Sequence, residues 1–463
     1  MVTGWRETVG VRFRAAIVGS GELTEGRYEL STVQLRAGPR EWVGLVVLAL
    51  PAMLIAADLT VLHLAVPQLG AALSPSTTQL LWIVDIYGFG VAGLLITMGT
   101  LGDRIGRRRL LLIGSAAFGA ASVLAAYATS AELLIGARAL LGVTGATLLP
   151  STLSLITNMF RDDKQRRIAI AVWSTSFLLG GAVGPLVGGL MLEHFWWGSI
   201  FLLAVPIMLV LLVAGPLVLP ESREPGARGV DPASVVLLMA AILSAVYGIK
   251  ELASGASAGI PLLMVGAGAG LGWWFVRRQR RLANPVLDLT LFARRRFSVS
   301  LGAQFLSLFA LAAIQFLVMQ YLQLVLGLSA LEAGLWILPA MAAGVVGNLL
   351  APALARALSQ TWAIVAGLLV GVAGAVMITQ AGAGAGAGLT TVVVGFALLS
   401  LGLNPVLVLA YDLILGSVPA ARAGTAAGTA ETGNELGIAL GVATAGSIGA
   451  AIYRRRVTGD TLP

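Results

Sequence analysis

The chain of 463 residues contains no cysteine and only two histidines, His63 and His194. The lack of cysteine excludes disulfides, thiolate metal sites and cysteine nucleophiles. Two isolated histidines leave little for a zinc site or for a nucleophile–base pair. We therefore expect neither a metal centre nor a catalytic site, and an enzyme is the least favoured class of protein.

Charge is also scarce: 11% of the residues are charged and 57% are hydrophobic, whereas a soluble domain carries roughly 25% charged residues. No Walker loop is present, and the Gly-Ala runs at 266–272 and 382–388 lack the glycine spacing of a dinucleotide fingerprint. The sequence thus predicts no nucleotide cofactor, and we expect that ATP does not drive this protein directly. The net charge of +8 does not indicate nucleic acid, because the charges lie in short segments between apolar runs.

Long apolar runs dominate the chain, and each can cross a hydrocarbon layer of about 30 Å at 1.5 Å per residue. They are too long for the strands of a membrane barrel. The sequence therefore predicts an all-α polytopic membrane protein. We count thirteen spans, at 43–66, 79–101, 110–128, 131–158, 168–191, 199–219, 234–252, 259–276, 298–324, 333–353, 362–380, 389–415 and 424–452.

Most of the 30 lysines and arginines lie in residues 1–41 and in alternate connections between spans. By the positive-inside rule, we expect a cytoplasmic N-terminus, and we expect the protein in the plasma (inner) membrane. After thirteen spans the tail 454–463, with three arginines, falls outside. Either a fourteenth span is missing from this chain or the tail is external; the sequence leaves both open.

One polar stretch, residues 99–109, separates two long apolar runs, 79–98 and 110–128. Its glycines allow two helices and their loop to approach closely, and its acid can pair with an arginine. We interpret it as a tight cytoplasmic loop. The residues that define this motif are Gly99, Asp103, Arg104, Gly106, Arg107 and Arg108.

Lys250 lies within the span 234–252, and three further charged residues lie inside three other spans: Asp58, Asp85 and Arg138. Counting residues from the ends of their spans puts all three roughly 9–12 Å below the outer surface. We expect a buried Asp–Arg–Asp cluster, in which a moving arginine can control whether a carboxylate carries a proton. The alternative is a static salt bridge that only orients the helices.

Two further acids, Glu431 and Glu435, share one helix face in span 13 because they are four residues apart. Paired buried acids attract protons or an organic cation. The alternative is a peripheral span whose acids face water.

Span 5 contains a run of small residues that favours close helix packing and, at its proline, bending. A hinge and ordinary close packing both explain it. The residues concerned are Gly180, Gly184, Pro185, Gly188 and Gly189.

These motifs carry a resemblance to one family. Residues 99–109 resemble the loop between spans 2 and 3 of the major facilitator superfamily, which forms part of its cytoplasmic gate. Residues 184–189 are similar to the span-5 motif of its exporters. Residues 138–142 resemble its span-4 arginine motif, although Leu141 stands where glutamine is often found.

A narrower resemblance is to the fourteen-span drug:proton antiporters of that superfamily. It rests on Asp58, on the stretch 81–87, on the two extra spans at 234–276 and on residues 431–437. The resemblance implies two six-helix halves, with extra spans between them, that rock about a central cavity. It also implies export of lipophilic, often cationic small molecules (drugs, antibiotics or biocides) in exchange for protons.

Under this reading, Asp58, Asp85 and Arg138 handle protons, while Glu431 and Glu435 serve a cationic substrate or a second proton. We expect a monomer. Candidates for the wall of the substrate cavity are Trp82, Tyr87, Trp173, Phe177, Gln315 and Trp336, because aromatic faces bind flat cations. A proton-coupled uptake permease and a truncated, non-transporting remnant stay open as alternatives.

The expected organisation follows the spans. It comprises a cytoplasmic leader (1–41), a six-span N-terminal half (42–219), a linker with two extra spans (220–296), an apparently incomplete C-terminal half (297–453) and a tail (454–463).

Overall fold

The computed structural model of the protein describes residues 37–223, 231–253, 257, 259–282, 285, 287–381, 385–418 and 423–459. The expected leader lies almost wholly outside the described residues. Within them the chain is helical throughout, apart from short connections and caps. The first group of helices is α1 (Pro39–Leu73), α2 (Thr77–Ile105), α3 (Arg107–Ala126), α4 (Ala131–Met159), α5 (Asp163–His194), α6 (Ser199–Leu202) and α7 (Ala204–Val218).

Two helices follow as a separate hairpin, α8 (Pro232–Ala253) and α9 (Gly259–Gln279). After a 3₁₀ turn at Leu291–Ala293 comes the last group. It consists of α10 (Arg295–Gln320), which continues as a π-helix at Tyr321–Val325, and of α11 (Ala330–Leu358), α12 (Gln360–Thr379), α13 (Ala385–Gly416) and α14 (Ala423–Gly459).

All thirteen spans predicted from the sequence are helical. Among the described residues, twelve segments are long and apolar enough to cross a membrane. The remaining predicted span, 424–452, lies on α14, which is of spanning length but is less apolar. Span 6 is broken at Leu203, three residues before Pro206. Proline has no N–H to donate to the carbonyl one turn earlier, so the helix is interrupted there.

The first and last groups repeat one packing pattern. In the first, α1 packs on α5, and α4 packs on both α2 and α3. In the last, α10 packs on α14, and α13 packs on both α11 and α12. The two halves meet where α2 contacts α14 and where α5 contacts α11, and α8 of the hairpin packs on α2 and α14.

The helices alternate in direction, so the bundle has two faces. We name the face that carries residues 103–109 the basic face and the other the opposite face. The tight contacts between the halves lie toward the opposite face: Gly189 packs on Leu331, and the Gln320 amide donates a hydrogen bond to the His63 backbone oxygen (3.3 Å). Toward the basic face, the buried cluster around Phe297 and Ile414 belongs to the last group alone. The bundle is therefore closed at the opposite face.

Candidate functional site

An ion pair between α1 and α4 forms the centre of the first half. Arg138 Nη1 lies 2.7 Å from Asp58 Oδ2, and Arg138 Nε donates a hydrogen bond to the Ile83 backbone oxygen (3.2 Å). The arginine side chain is 1% exposed and the carboxylate 15% exposed. Arg138 thus links α4 to both α1 and α2, and the carboxylate of Asp58 stays partly exposed.

Tyr87 of α2 lies against this pair. The guanidinium of Arg138 stacks over its ring, 4.6 Å from the centroid, and the tyrosine is buried. Its hydroxyl has no hydrogen-bond partner among the described residues. It interacts electrostatically with Asp58 and Arg138 of its own half and with Glu435 of the other half. Tyr87 is therefore within electrostatic reach of charged residues from both halves.

Asp85 does not complete the three-residue cluster expected from the sequence. Its Oδ2 lies 2.8 Å from Nζ of Lys250, on α8 of the hairpin, and both side chains are buried. Arg138 acts on Asp85 at longer range. In place of the expected Asp–Arg–Asp cluster, the structure has two ion pairs, Asp58–Arg138 and Asp85–Lys250. The hairpin packs against α2 and supplies Lys250, a partner that the depth of residues along each span could not predict.

The acids of α14 have a different environment. Glu435 is 4% exposed and Glu431 is partly buried. The Asn434 amide donates a hydrogen bond to Glu431 (3.2 Å). In the part of the chain that the structure describes, neither acid forms an ion pair with a lysine or an arginine. Both acids can therefore bind a cation or protons.

The candidate wall residues do not form one surface. Trp82 faces the hairpin, where its ring packs with Tyr247 and beneath Lys250 Nζ. Trp173 donates a hydrogen bond to the Thr152 hydroxyl (3.2 Å). Trp336 is 43% exposed. The remaining candidates are the buried Tyr87 and the partly buried Phe177 and Gln315.

The small-residue run of span 5 packs on both halves. A Cβ at Gly180 would collide with the Met53 backbone oxygen, and one at Gly184 would lie 2.9 Å from Ala57 Cα. On another side of the same helix, a Cβ at Gly189 would lie 2.7 Å from Leu331 Cα of α11. The glycines therefore allow the close approach of α5 to α1 and to α11, and Pro185 lies on the α11 side.

The stretch 103–109, in which Gly106 alone separates α2 from α3, is held against the segment that follows α7. Asp103 pairs with Arg107, whose backbone N–H donates to the Ser222 backbone oxygen (2.9 Å).

Gly106 has φ +113°, and a Cβ there would lie 2.5 Å from Glu221 Oε1. Only glycine fits this backbone conformation in so little space. Gly99 makes only ordinary contacts, and Arg104 is exposed.

Glu221 was missed by the sequence analysis. Its carboxylate accepts a hydrogen bond from the Arg108 backbone N–H (3.1 Å) and lies within 4.0 Å of the side chains of Arg108 and Arg109. A single acid that follows an apolar run has no distinctive pattern. The excess of arginines in the loop was the one signal that an acidic partner was needed.

Two repeated helical halves with ion pairs buried between spans define a multi-pass membrane transporter. The chain belongs to the Major Facilitator Superfamily, whose family model matches residues 48–442. It is a transporter and not an enzyme.

Several curated proteins are similar to it. The multidrug efflux pump LfrA of Mycolicibacterium smegmatis is 47% identical over 422 residues, which are 91% of this chain and 83% of LfrA. The methyl viologen resistance protein SmvA of Salmonella typhimurium is 39% identical over 305 residues, 66% of this chain and 62% of SmvA. The tetracenomycin C resistance and export protein of Streptomyces glaucescens is 32% identical over 391 residues, which are 84% of this chain and 72% of that protein.

The fold is also that of a solved transporter. A crystal structure of the peptide transporter POT matches with a TM-score of 0.61 and 18% identity, over 90% of this chain and 94% of that one. At this identity the likeness concerns the fold.

Proposed function

We propose that this protein exports lipophilic, often cationic small molecules in exchange for protons, by alternating access. Support for export comes from relatives such as LfrA, a multidrug efflux pump, and from the named resistance and export proteins. Drugs, antibiotics and biocides are the substrate class that these names suggest. The plasma membrane is the proposed location, with the N-terminus and the basic face in the cytoplasm, because most of the arginines lie on that side.

The observation that carries the proposal is the contrast between two sets of buried acids. Asp58 and Asp85 each have a cationic partner at 2.7–2.8 Å. Glu431 and Glu435, on α14 in the other half, have none among the described residues. Ionised acids inside a bilayer-spanning bundle are costly unless a cation or a proton neutralises them. A site of this kind accepts either a cationic compound or protons.

The proposed cycle uses both sets. With the opposite face closed, a compound enters from the basic face and neutralises the α14 acids. A proton on Asp58 would weaken its pair with Arg138, which also holds the Ile83 backbone oxygen of α2. The first half, residues 42–219, would then rotate against the second half, residues 297–453, and the contacts at the opposite face would separate. One chain carries both halves and all these groups, so we propose a monomer.

The test measures the pH gradient of energised everted membrane vesicles while a panel of lipophilic cations and neutral compounds is added. We expect cations to collapse the gradient in vesicles that contain the protein and not in matched vesicles without it. A gradient that no compound collapses, with the protein inserted, would contradict the proposal and favour a non-transporting remnant. Compounds that enter cells through the protein would favour uptake.

Glu435→Gln separates the two uses of the α14 acids. We expect the response to cations to fall to background while the response to neutral compounds persists, because the amide keeps the shape of the side chain and loses its charge. Glu132→Gln, at an exposed position of α4, is the matched control and should respond like the wild type. Equal loss of cationic and neutral responses would instead make Glu435 a proton carrier.

A further inference from the structure

The inserted hairpin brings a buried lysine to the first half. Lys250, near the end of α8, is fully buried, and its ion pair, its hydrogen bond and its cation–π contact among the described residues are all with α2. Nζ forms the ion pair with Asp85, donates a hydrogen bond to the Leu81 backbone oxygen (2.8 Å) and lies 4.4 Å from the centroid of Trp82. These partners occupy one turn of α2, so a single cation fixes α8 to that turn.

This contact lies where the two halves meet. Val246 of α8 packs with Phe89 of α2 and with Ala439 and Ala443 of α14. A Cβ at Gly88 would lie 3.2 Å from Cβ of Ala439, so α2 and α14 nearly touch beside it. Any rotation of one half against the other changes this junction. The Asp85–Lys250 pair is therefore placed to respond to the conformational change.

We propose that Lys250 is a positioning residue for proton coupling, which holds Asp85 charged while α8 is docked on α2, and that a proton replaces Lys250 as the partner of Asp85 when the halves rotate. This proposal rests on the proposed function, since it assigns a second proton step to the same exchange. The inserted hairpin then takes part in proton coupling and does not serve only to connect the two halves.

The charge balance of the neighbourhood agrees with such an exchange. Besides Lys250, the charged group that acts on Asp85 is Arg138 of α4, whose own ionic contact is Asp58 of α1. The acids of α14, the other helix that packs on α2 here, add no cation. Lys250 is thus the one cation in direct contact with Asp85 among the described residues, and a proton can take its place while Arg138 keeps its pair with Asp58.

A second charged contact, which joins the start of α8 to the end of α9 within the hairpin, does not titrate in the range of a transport assay. Arg278 of α9 donates two hydrogen bonds of 3.0 Å to Asp231, just before α8. They hold the pKa of the Asp231 carboxyl at about 2. A lowered pKa means that this attachment is lost only as the pH falls toward that value. A change in behaviour between pH 5 and 8 would therefore not come from this attachment.

The test is the pH profile of substrate-induced proton movement for Lys250→Met. The wild type is measured first, because absence of any proton movement there refutes the proposed function and not this inference. For Lys250→Met we expect the pH of half-maximal exchange to rise by about one to three units, since only a proton can then neutralise the buried carboxylate. The chain has one other lysine, Lys164, which is exposed. Lys164→Met is the matched control and should keep the wild-type profile.

A double variant covers the case in which Lys250→Met does not insert, because removing one partner of a buried pair leaves an uncompensated charge. Asp85→Asn with Lys250→Met leaves no charge. We expect this protein to insert and to respond to pH differently from the wild type. A wild-type pH profile in either variant would overturn the proposal and make the pair purely structural, as would failure of both variants to insert.

Discussion

Replacing Asp58 by asparagine is expected to abolish proton exchange while the protein still inserts. The carboxylate is the ionic partner of the buried Arg138, and it is the more exposed member of the pair. Asparagine has the same shape and can still accept a hydrogen bond from the guanidinium, but it cannot bind or release a proton. Substrate-induced proton movement in vesicles should therefore fall to the level of vesicles without the protein.

The matched control is Asp412→Asn, which makes the same chemical change at an exposed position of α13, where the carboxylate accepts a hydrogen bond from Gln360 (2.7 Å). It should exchange protons like the wild type. Loss of the pair also costs stability, about 3 kcal/mol if the arginine is left unpaired, so protein abundance must be measured beside activity. Undiminished exchange in Asp58→Asn would show that the Asp58–Arg138 pair only orients helices.

The second large effect is expected at Gly180. An alanine Cβ there would collide with the Met53 backbone oxygen, which cannot move unless α5 separates from α1. Overpacking of a well-packed interface costs typically 1–3 kcal/mol and more against backbone. Gly180→Ala should therefore lower the free energy of unfolding of the detergent-solubilised protein by about 3 kcal/mol, or prevent its accumulation in the membrane.

The neighbouring glycine gives the control for this experiment. A Cβ at Gly181 meets only Met341 Cε, at 3.9 Å, which is ordinary contact. Gly181→Ala should leave stability unchanged or slightly raised, because alanine is the better helix former. Equal stability of the two variants would mean that α1 and α5 are not packed as closely as in this structure.

The helices were predictable because the hydrocarbon layer imposes length and apolarity on each span, and both properties are local in the sequence. The break in span 6 at Leu203 was not predicted, although Pro206 is visible, because proline inside spans is often tolerated. Equal depth in separate spans predicted that Asp58, Asp85 and Arg138 lie close together, but it left open which acid pairs with Arg138, because that depends on which helices touch.

The partner of Asp85 could not be found in the same way. Lys250 was recognised as a charge inside a span, but its span belongs to the inserted hairpin, and nothing in the sequence places that hairpin against α2 and α14. Trp82 shows the same limit: its type predicted a cavity wall, whereas its ring packs beneath Lys250. Depth is encoded along the chain, but the choice of neighbour depends on how the helices assemble.

The most direct test of the central claim uses purified protein in proteoliposomes and a permanently charged lipophilic cation as the substrate. The membrane potential is held at zero, and only the pH gradient is varied. We predict accumulation of the cation when the interior is acidic, its loss when the gradient is dissipated, and none with Asp58→Asn. Equal accumulation with and without the pH gradient would contradict proton-coupled export by this protein.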